Sequence, residues 1–244
     1  MSLPGPLAAL GDRPIIAIDD FDEWGLVAYT TTRAFGTLGA QSEEPARLVL
    51  GRWQAIVDDA GARGIHAFAT AHQVHGARVH EHGPGWQGWL RAPEADGHSW
   101  RQRGHGAAVT VADCVPVFLA HPSGAAALLH SGWRSTAAGI TETALARFAA
   151  HGLAPADCRL HLGPAICGAC YEVGPEVHAQ VAGRVVPGPT PIDVRAEIAG
   201  RARARGVHDI RISPWCTCCH GAVLFSHRGG DPGRQVGVLL SPPA

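Results

Sequence analysis

The segment Ala107-Ala108-Val109-Thr110-Val111-Ala112-Asp113-Cys114-Val115-Pro116-Val117-Phe118-Leu119-Ala120, followed shortly by Ala125-Ala126-Ala127-Leu128-Leu129-His130, decides the fold. Val109-Thr110-Val111 and Val115-Pro116-Val117-Phe118-Leu119 are apolar at successive positions, as in strands covered on both faces by other layers. A strand with one wet face would alternate instead. The apolar runs stop at Asp113-Cys114 and at His130-Ser131, so a thiol and an imidazole emerge where buried strands surface.

Further strands are expected at Leu26 to Thr32, His66 to His80, Arg159 to Leu162, Asp209 to Ser213, Ala222 to Ser226 and Gln235 to Leu240. Helical spacing marks Glu43 to Ala60, with Leu48, Val49, Trp53 and Val57 on one side. It also marks Ser135 to Ala150, capped by Ser135 or Thr136, with Ile140, Ala144, Leu145 and Phe148 inward. Asp193 caps a third helix to Arg205 that buries Val194, Ile198 and Ala202, and Pro175 to Val181 forms a short one. Gly83 to Gly106 and Val186 to Pro191, rich in Gly and Pro, read as loops. The chain is a mixed α and β protein without internal repeats, taken as one domain over 1–244.

With 46% apolar and 17% charged residues the 244-residue chain is globular, and no apolar run reaches the length of a membrane span. Met1 to Leu10 lacks the basic start and apolar centre of a secretory signal, so a cytoplasmic enzyme is expected. A net charge of -1 gives no field for nucleic acid or an anionic membrane surface. Every basic residue is Arg; without Lys, Schiff-base chemistry and a P-loop are excluded, and without Asn so is a cysteine-histidine-asparagine triad.

The seven cysteines, an odd number in a long chain, point to reduced thiols rather than a disulfide framework. Cys167/Cys170 and Cys216/Cys219 each have the gap of a zinc knuckle, but the forty-five residues between the pairs exceed the spacing of a compact zinc ribbon. Distant knuckles can meet in a fold; the reading taken is of buried or redox-idle thiols. Cys114 differs, since His75 upstream and His130 downstream complete two nitrogens and a sulfur that zinc can use, with a fourth position left for water. Spacing alone leaves the alternative that these are structural side chains, because fifteen His offer many triples.

Gln73-Val74-His75-Gly76, Ala112-Asp113-Cys114-Val115-Pro116, His130-Ser131-Gly132-Trp133-Arg134, Leu162-Gly163-Pro164-Ala165-Ile166, Tyr171-Glu172-Val173-Gly174, Cys216-Thr217 and Phe225-Ser226-His227-Arg228 with Gly233-Arg234 form an ordered set. In it the chain resembles the bacterial laccase-domain, or YfiH-type, family, first named polyphenol oxidases and now regarded as purine nucleoside phosphorylases with adenosine deaminase activity. The resemblance runs from about Thr30 to Leu240. It implies an α+β fold of four layers, two mixed sheets between helices, and one zinc per chain on His75, Cys114 and His130, copper being the lesser alternative. Ser131, Ser135, His227, Gly229 and Pro232 depart from the family pattern and bear on substrate preference.

A zinc ion so held lowers the pKa of its water to about 7, which suits attack at C6 of adenine. Phosphorolysis of adenosine, inosine, guanosine or methylthioadenosine needs cations to hold phosphate beneath C1′. Arg33, Arg134 and Arg228 are the candidates, because guanidinium forks pair with phosphate oxygens. Asp113 either orients an imidazole or caps a turn, and Gln73 either orients substrate or satisfies local backbone. Trp133 and Tyr171 read as packing before purine stacking. His72, His80 and His82 are left out of the site, because alternation along a strand would face them away from His75.

Two other classes bear comparison, the first of which uses the same residues. Cys114 as nucleophile with His130 or His75 as base makes a hydrolase or amidase, and the resemblance implies one such task, since some members of that family are linked to editing cell-wall precursors. A copper laccase fits poorly, since His80-Glu81-His82 is the single His-Xaa-His pair.

Overall fold

The computed structural model describes residues 3–39 and 42–244. Its strands, in chain order, are Ala8–Leu10 (β1), Arg13–Ala17 (β2), Val27–Thr31 (β3), Ala67–Ala71 (β4), Val79–His82 (β5), Gly88–Ala92 (β6), Gly97–Trp100 (β7), His105–Val111 (β8), Val115–Ala120 (β9), Ala126–Ser131 (β10), Arg159–Leu162 (β11), Glu172–Val173 (β12), Thr190–Pro191 (β13), Asp209–Ile212 (β14) and Gln235–Ser241 (β15). The α-helices are Ala46–Ala62 (α1), Trp133–Ala137 (α2), Ile140–Ala150 (α3), Pro175–Ala182 (α4) and Val194–Ala204 (α5). A seven-stranded sheet runs β1-β2-β3-β15-β8-β4-β6 and a six-stranded one β14-β11-β9-β10-β7-β5. Both mix parallel and antiparallel pairs.

Strand periodicity sorts the apolar side chains into layers. From β8, Ala107, Val109 and Val111 enter the cluster between the sheets, which Phe118 and Ala120 of β9 and Ala126 and Leu128 of β10 complete from the other side. Val117, Leu119, Ala127 and Leu129 face outward onto Ile140, Ala144, Leu145 and Phe148 of α3 and Val194, Ile198 and Ala202 of α5. Val236, Val238 and Leu240 of β15 turn the opposite way, onto Val49, Trp53, Ile56 and Ala60 of α1. The result is the expected single α+β domain with two sheets between helices. No helix among the described residues is long and apolar enough to cross a membrane.

Local differences from the sequence reading have physical causes. α1 begins at Ala46 after Pro45 and is rotated from the expected face: Ile56 and Ala60 are buried, whereas Leu48 is 45% exposed. The helix expected from Ser135 is two, because Gly139 takes the left-handed conformation (φ 78°) between α2 and α3. Thr136 does not cap it; its hydroxyl donates to the Gly132 carbonyl at 2.8 Å. Asp193 caps α5 as expected, accepting from the Arg195 and Ala196 amides.

His66 to His80 is not one strand, since β4 and β5 belong to different sheets and 72–78 is the connection between them. His72 and His75 therefore lie in the connection and His80 and His82 on β5, so no strand alternation relates the four. Gly83 to Gly106 is no simple loop either, holding β6, which pairs with β4, and β7, which lies between β10 and β5. Conversely, Ala222 to Ser226 forms no strand; its backbone is tied instead to Gln235, whose side-chain amide pairs with both the amide and the carbonyl of Phe225.

Candidate metal centre

Three connections pass from one sheet to the other at the same end of the sandwich: β4 to β5, β6 to β7 and β8 to β9. They carry His75, Asp96 and Cys114 respectively. His130, near the end of β10, pairs with Pro116 at the start of β9, which sets it next to Cys114. The ligand atoms of His75, Cys114 and His130 all lie within 4.8 Å of one another. His75 and Asp113 hold left-handed backbones, at φ 60° and 83°. For non-glycine residues such backbones cost of order 1–3 kcal/mol each and cluster at functional sites.

Asp96, wholly buried, organises the group. Its carboxylate accepts the amides of His75 at 2.8 Å and Gly76 at 2.7 Å, and His130 Nδ1 lies 2.9 Å from Oδ1. Burial pushes the Asp96 carboxyl up, but those hydrogen bonds, His130 first, leave it below the usual carboxylate range. An anion there accepts the Nδ1 proton of His130, and, against burial, Cys114 and Asp96 push the imidazole up to about 9, so its second nitrogen also holds a proton, which a bound metal would displace. Burial likewise opposes ionisation of Cys114, yet the charge of His130 and hydrogen bonds from His130 and His75 bring the thiol down to about 6.

The set fits a zinc ion: two imidazoles and a sulfur held as thiolate, with His75 exposed, so that one side stays open. Gly132 borders it, and a Cβ there would stand 2.8 Å from Cys114 Sγ and 3.6 Å from His75 Cδ2. A side chain at this position would fill the space beside the sulfur.

The other expected residues separate into two groups. Arg134 lies exposed with its guanidinium 4.3 Å from the Trp133 ring centroid, and no hydrogen bond or ion pair engages it among the described residues. Arg228 is stacked 5.0 Å over Tyr171 and donates to the Glu172 carbonyl. Burial raises the Tyr171 phenol, as does the charge of Cys114, while Arg228, stacked on its ring, opposes the rise. Arg33 is committed elsewhere: it donates to the Gly221 and Leu224 carbonyls, pairs with Asp231 at 2.6 Å and stacks on Phe225.

Gln73 clasps Thr110, donating to its carbonyl and accepting from its amide and hydroxyl. Asp113 orients no imidazole; its carboxylate accepts the hydroxyls of Thr217 at 2.5 Å and Ser226 at 2.8 Å and the amide of Arg228 at 2.6 Å. Asp96 takes the orienting part that the sequence left open for Asp113 as one of two alternatives. It escaped notice because it sits in the Gly-rich stretch read as a loop, and the only signal was an acidic residue just before β7.

The sequence profile of the family described as multi-copper polyphenol oxidoreductase laccase matches residues 31–241. The chain belongs to this family. Its similarity to curated family relatives spans most of both chains. "Purine nucleoside phosphorylase ORF3" of Streptomyces griseus is 34% identical over 227 residues, 89% of this chain and 91% of its own length. "Purine nucleoside phosphorylase SCO2081" of Streptomyces coelicolor is 36% identical over 230 residues, covering 89% and 92%. The solved structure of YlmD from Geobacillus stearothermophilus superposes with a TM-score of 0.82 at 26% identity, over 90% of this laccase-family chain and 93% of that one.

Proposed function

We propose that the chain is a zinc-dependent purine nucleoside phosphorylase that splits adenosine, inosine, guanosine or methylthioadenosine with phosphate and also deaminates adenosine. The observation that carries the reading is the convergence of His75, Cys114 and His130, with Arg134 two residues beyond the Gly132 that borders Cys114 and Arg228 stacked on Tyr171. Relatives named purine nucleoside phosphorylase support it. The catalytic unit is the whole of 1–244, working in the cytoplasm on small molecules.

Bound to His75, Cys114 and His130, the zinc would supply Lewis acidity and a water acidified to a pKa of about 7. The protein's own groups do the rest. Arg134, carried on Trp133, and Arg228, carried on Tyr171, hold phosphate by their guanidinium forks beneath C1′. The C1′–N9 bond breaks with its electron pair on the purine while a phosphate oxygen bonds C1′. Asp113 orders the Arg228 segment from below through its amide. Arg33, tied to the Gly221 and Leu224 carbonyls and to Asp231, and Gln73, tied to Thr110, are engaged with protein groups and take no part in holding substrate.

The test is incubation of metal-analysed protein with adenosine, with and without phosphate, following adenine, ribose 1-phosphate and inosine. Purine release that requires phosphate supports the proposal, and full turnover by Cys114→Ala overturns it.

One observation favours a second reading. Cys114 Sγ within 4.8 Å of the His130 imidazole, itself held by Asp96 at 2.9 Å, is also the arrangement of a cysteine hydrolase or amidase. Activity lost to chelator and restored by zinc separates the two. A copper laccase gains nothing from the geometry: the metal-capable groups of three or more among the described residues are this two-His, one-Cys set and a four-Cys set.

A further inference from the structure

The two knuckles that the sequence reading set aside as idle thiols meet. The sulfurs of Cys167, Cys170, Cys216 and Cys219 all lie within 4.8 Å of one another, with Cys170 to Cys219 at 3.4 Å and Cys167 to Cys219 at 4.0 Å. A zinc ion with four sulfurs at about 2.3 Å needs sulfur-to-sulfur edges of about 3.8 Å, which these distances bracket. We propose that these four cysteines form a second, structural site for a thiophilic divalent cation, zinc in the first instance, apart from the His75, Cys114 and His130 centre.

The backbone is arranged for it. The amides of Cys167 and Cys219 both donate to Cys216 Sγ, at 3.3 and 3.4 Å. Each donor comes from a knuckle and points at a sulfur, a pattern that favours the thiolate over the thiol. Ala165 and Cys216 form a parallel bridge that holds the knuckles side by side, so the long sequence gap is closed by the sheet and not by a small ribbon. Cys216 is buried while Cys219 is exposed, which leaves the cation a way in. Loading would release the protons of the bound thiols.

The site would tie the segment after β11 to the segment after β14. Both lead to the catalytic centre: Ile166 donates its amide to the Asp113 carbonyl, Thr217 donates its hydroxyl to the Asp113 carboxylate, and Tyr171 follows Cys170 directly. The cation therefore positions the wall that carries Tyr171 and Thr217, without touching substrate. This holds whatever reaction the first centre performs.

Metal content of the reduced full-length protein, purified without chelator, is the first measurement. Two equivalents of zinc are expected per chain, falling to one in Cys170→Ser/Cys219→Ser and to one in Cys114→Ser/His130→Ala. Cobalt replaces zinc in the second arm. Cys114→Ser/His130→Ala should keep the intense sulfur-to-cobalt absorption of a tetrathiolate, so the proposal stays testable even if the knuckle variant does not fold. Thiol titration of the denatured, unreduced protein should show all seven thiols after metal removal. No zinc retained by Cys114→Ser/His130→Ala, no tetrathiolate cobalt spectrum, or a titration two thiols short because Cys170 and Cys219 are disulfide-linked would each overturn the site. Failure of nucleoside turnover alone, with the second zinc present, would sink the catalytic reading and leave this one standing.

Discussion

Asp96 Oδ1 lies 2.9 Å from His130 Nδ1, and the same carboxylate accepts the backbone amide of His75 at 2.8 Å. One buried anion thus sets both the orientation of one imidazole and the strained backbone of the other. Asp96→Asn keeps the shape but removes the charge. Metal affinity should fall about 10–100-fold, in keeping with the loss of a carboxylate behind a ligating histidine. Competition with a chromogenic chelator measures it, and unchanged affinity would remove Asp96 from the centre.

Gly132 makes the second prediction. A methyl group at this position meets Cys114 Sγ at 2.8 Å, too close for either atom to stay. Gly132 opens α2 with ordinary backbone angles, so Gly132→Ala introduces no conformational strain of its own. The expected result is loss of most metal binding at the first centre with a stability cost of about 1–3 kcal/mol, typical of overpacking. Zinc titration with thermal unfolding in parallel separates the two effects. Native affinity in this variant would mean that the metal does not use Cys114.

Arg134 and Arg33 carry the same charge but stand in opposite environments. Removing Arg134, which no protein group engages among the described residues, should raise KM for phosphate about 10–100-fold, the worth of a charged hydrogen bond, with little change in unfolding. Removing Arg33 strips two carbonyls of a donor and Asp231 of its cation, so it should lower stability and shift kcat and KM together. Phosphate KM values and unfolding curves for Arg134→Ala and Arg33→Ala decide the assignment. A selective rise in phosphate KM in Arg33→Ala would reverse it.

These contrasts show where sequence stops informing. Cys114 and His130 were legible because each ends an unbroken apolar run, and such a run has few ways to lie in a layered fold. His75 was legible as a metal-capable residue but not in its conformation, because the run around it spans two sheets and only tertiary pairing breaks it at 72–78. The arginine roles were illegible, since a guanidinium tied to carbonyls from 221 and 224 and one left free are the same letter in the sequence. The Cys167, Cys170, Cys216 and Cys219 cluster failed for a different reason. Spacing allows distant knuckles to meet but gives no sign that these do; only the pairing of strands β11 and β14 brings the two together.

The last prediction concerns acid stability and rests on His82 and His98. Their rings stack, with Nε2 of His82 2.9 Å from Nδ1 of His98, and both are buried on neighbouring strands. Burial is the largest cause that lowers them, followed by the charge of neighbouring histidines, and it brings His82 to about 4 and His98 to about 3. Above pH 6.5 both are neutral in folded and unfolded chains, so they do not tilt the balance. As pH falls below 6.5 the unfolded chain binds protons that the folded chain refuses, and stability drops by up to about 1.4 kcal/mol per pH unit for each histidine. Near pH 4 the His82 share levels off as the folded protein begins to accept the proton. Urea midpoints between pH 7 and 4.5, converted to free energies, should trace this fall, and His98→Gln should flatten it by about half even if the variant starts less stable. An equally steep fall in His98→Gln would place the acid sensitivity elsewhere in the molecule.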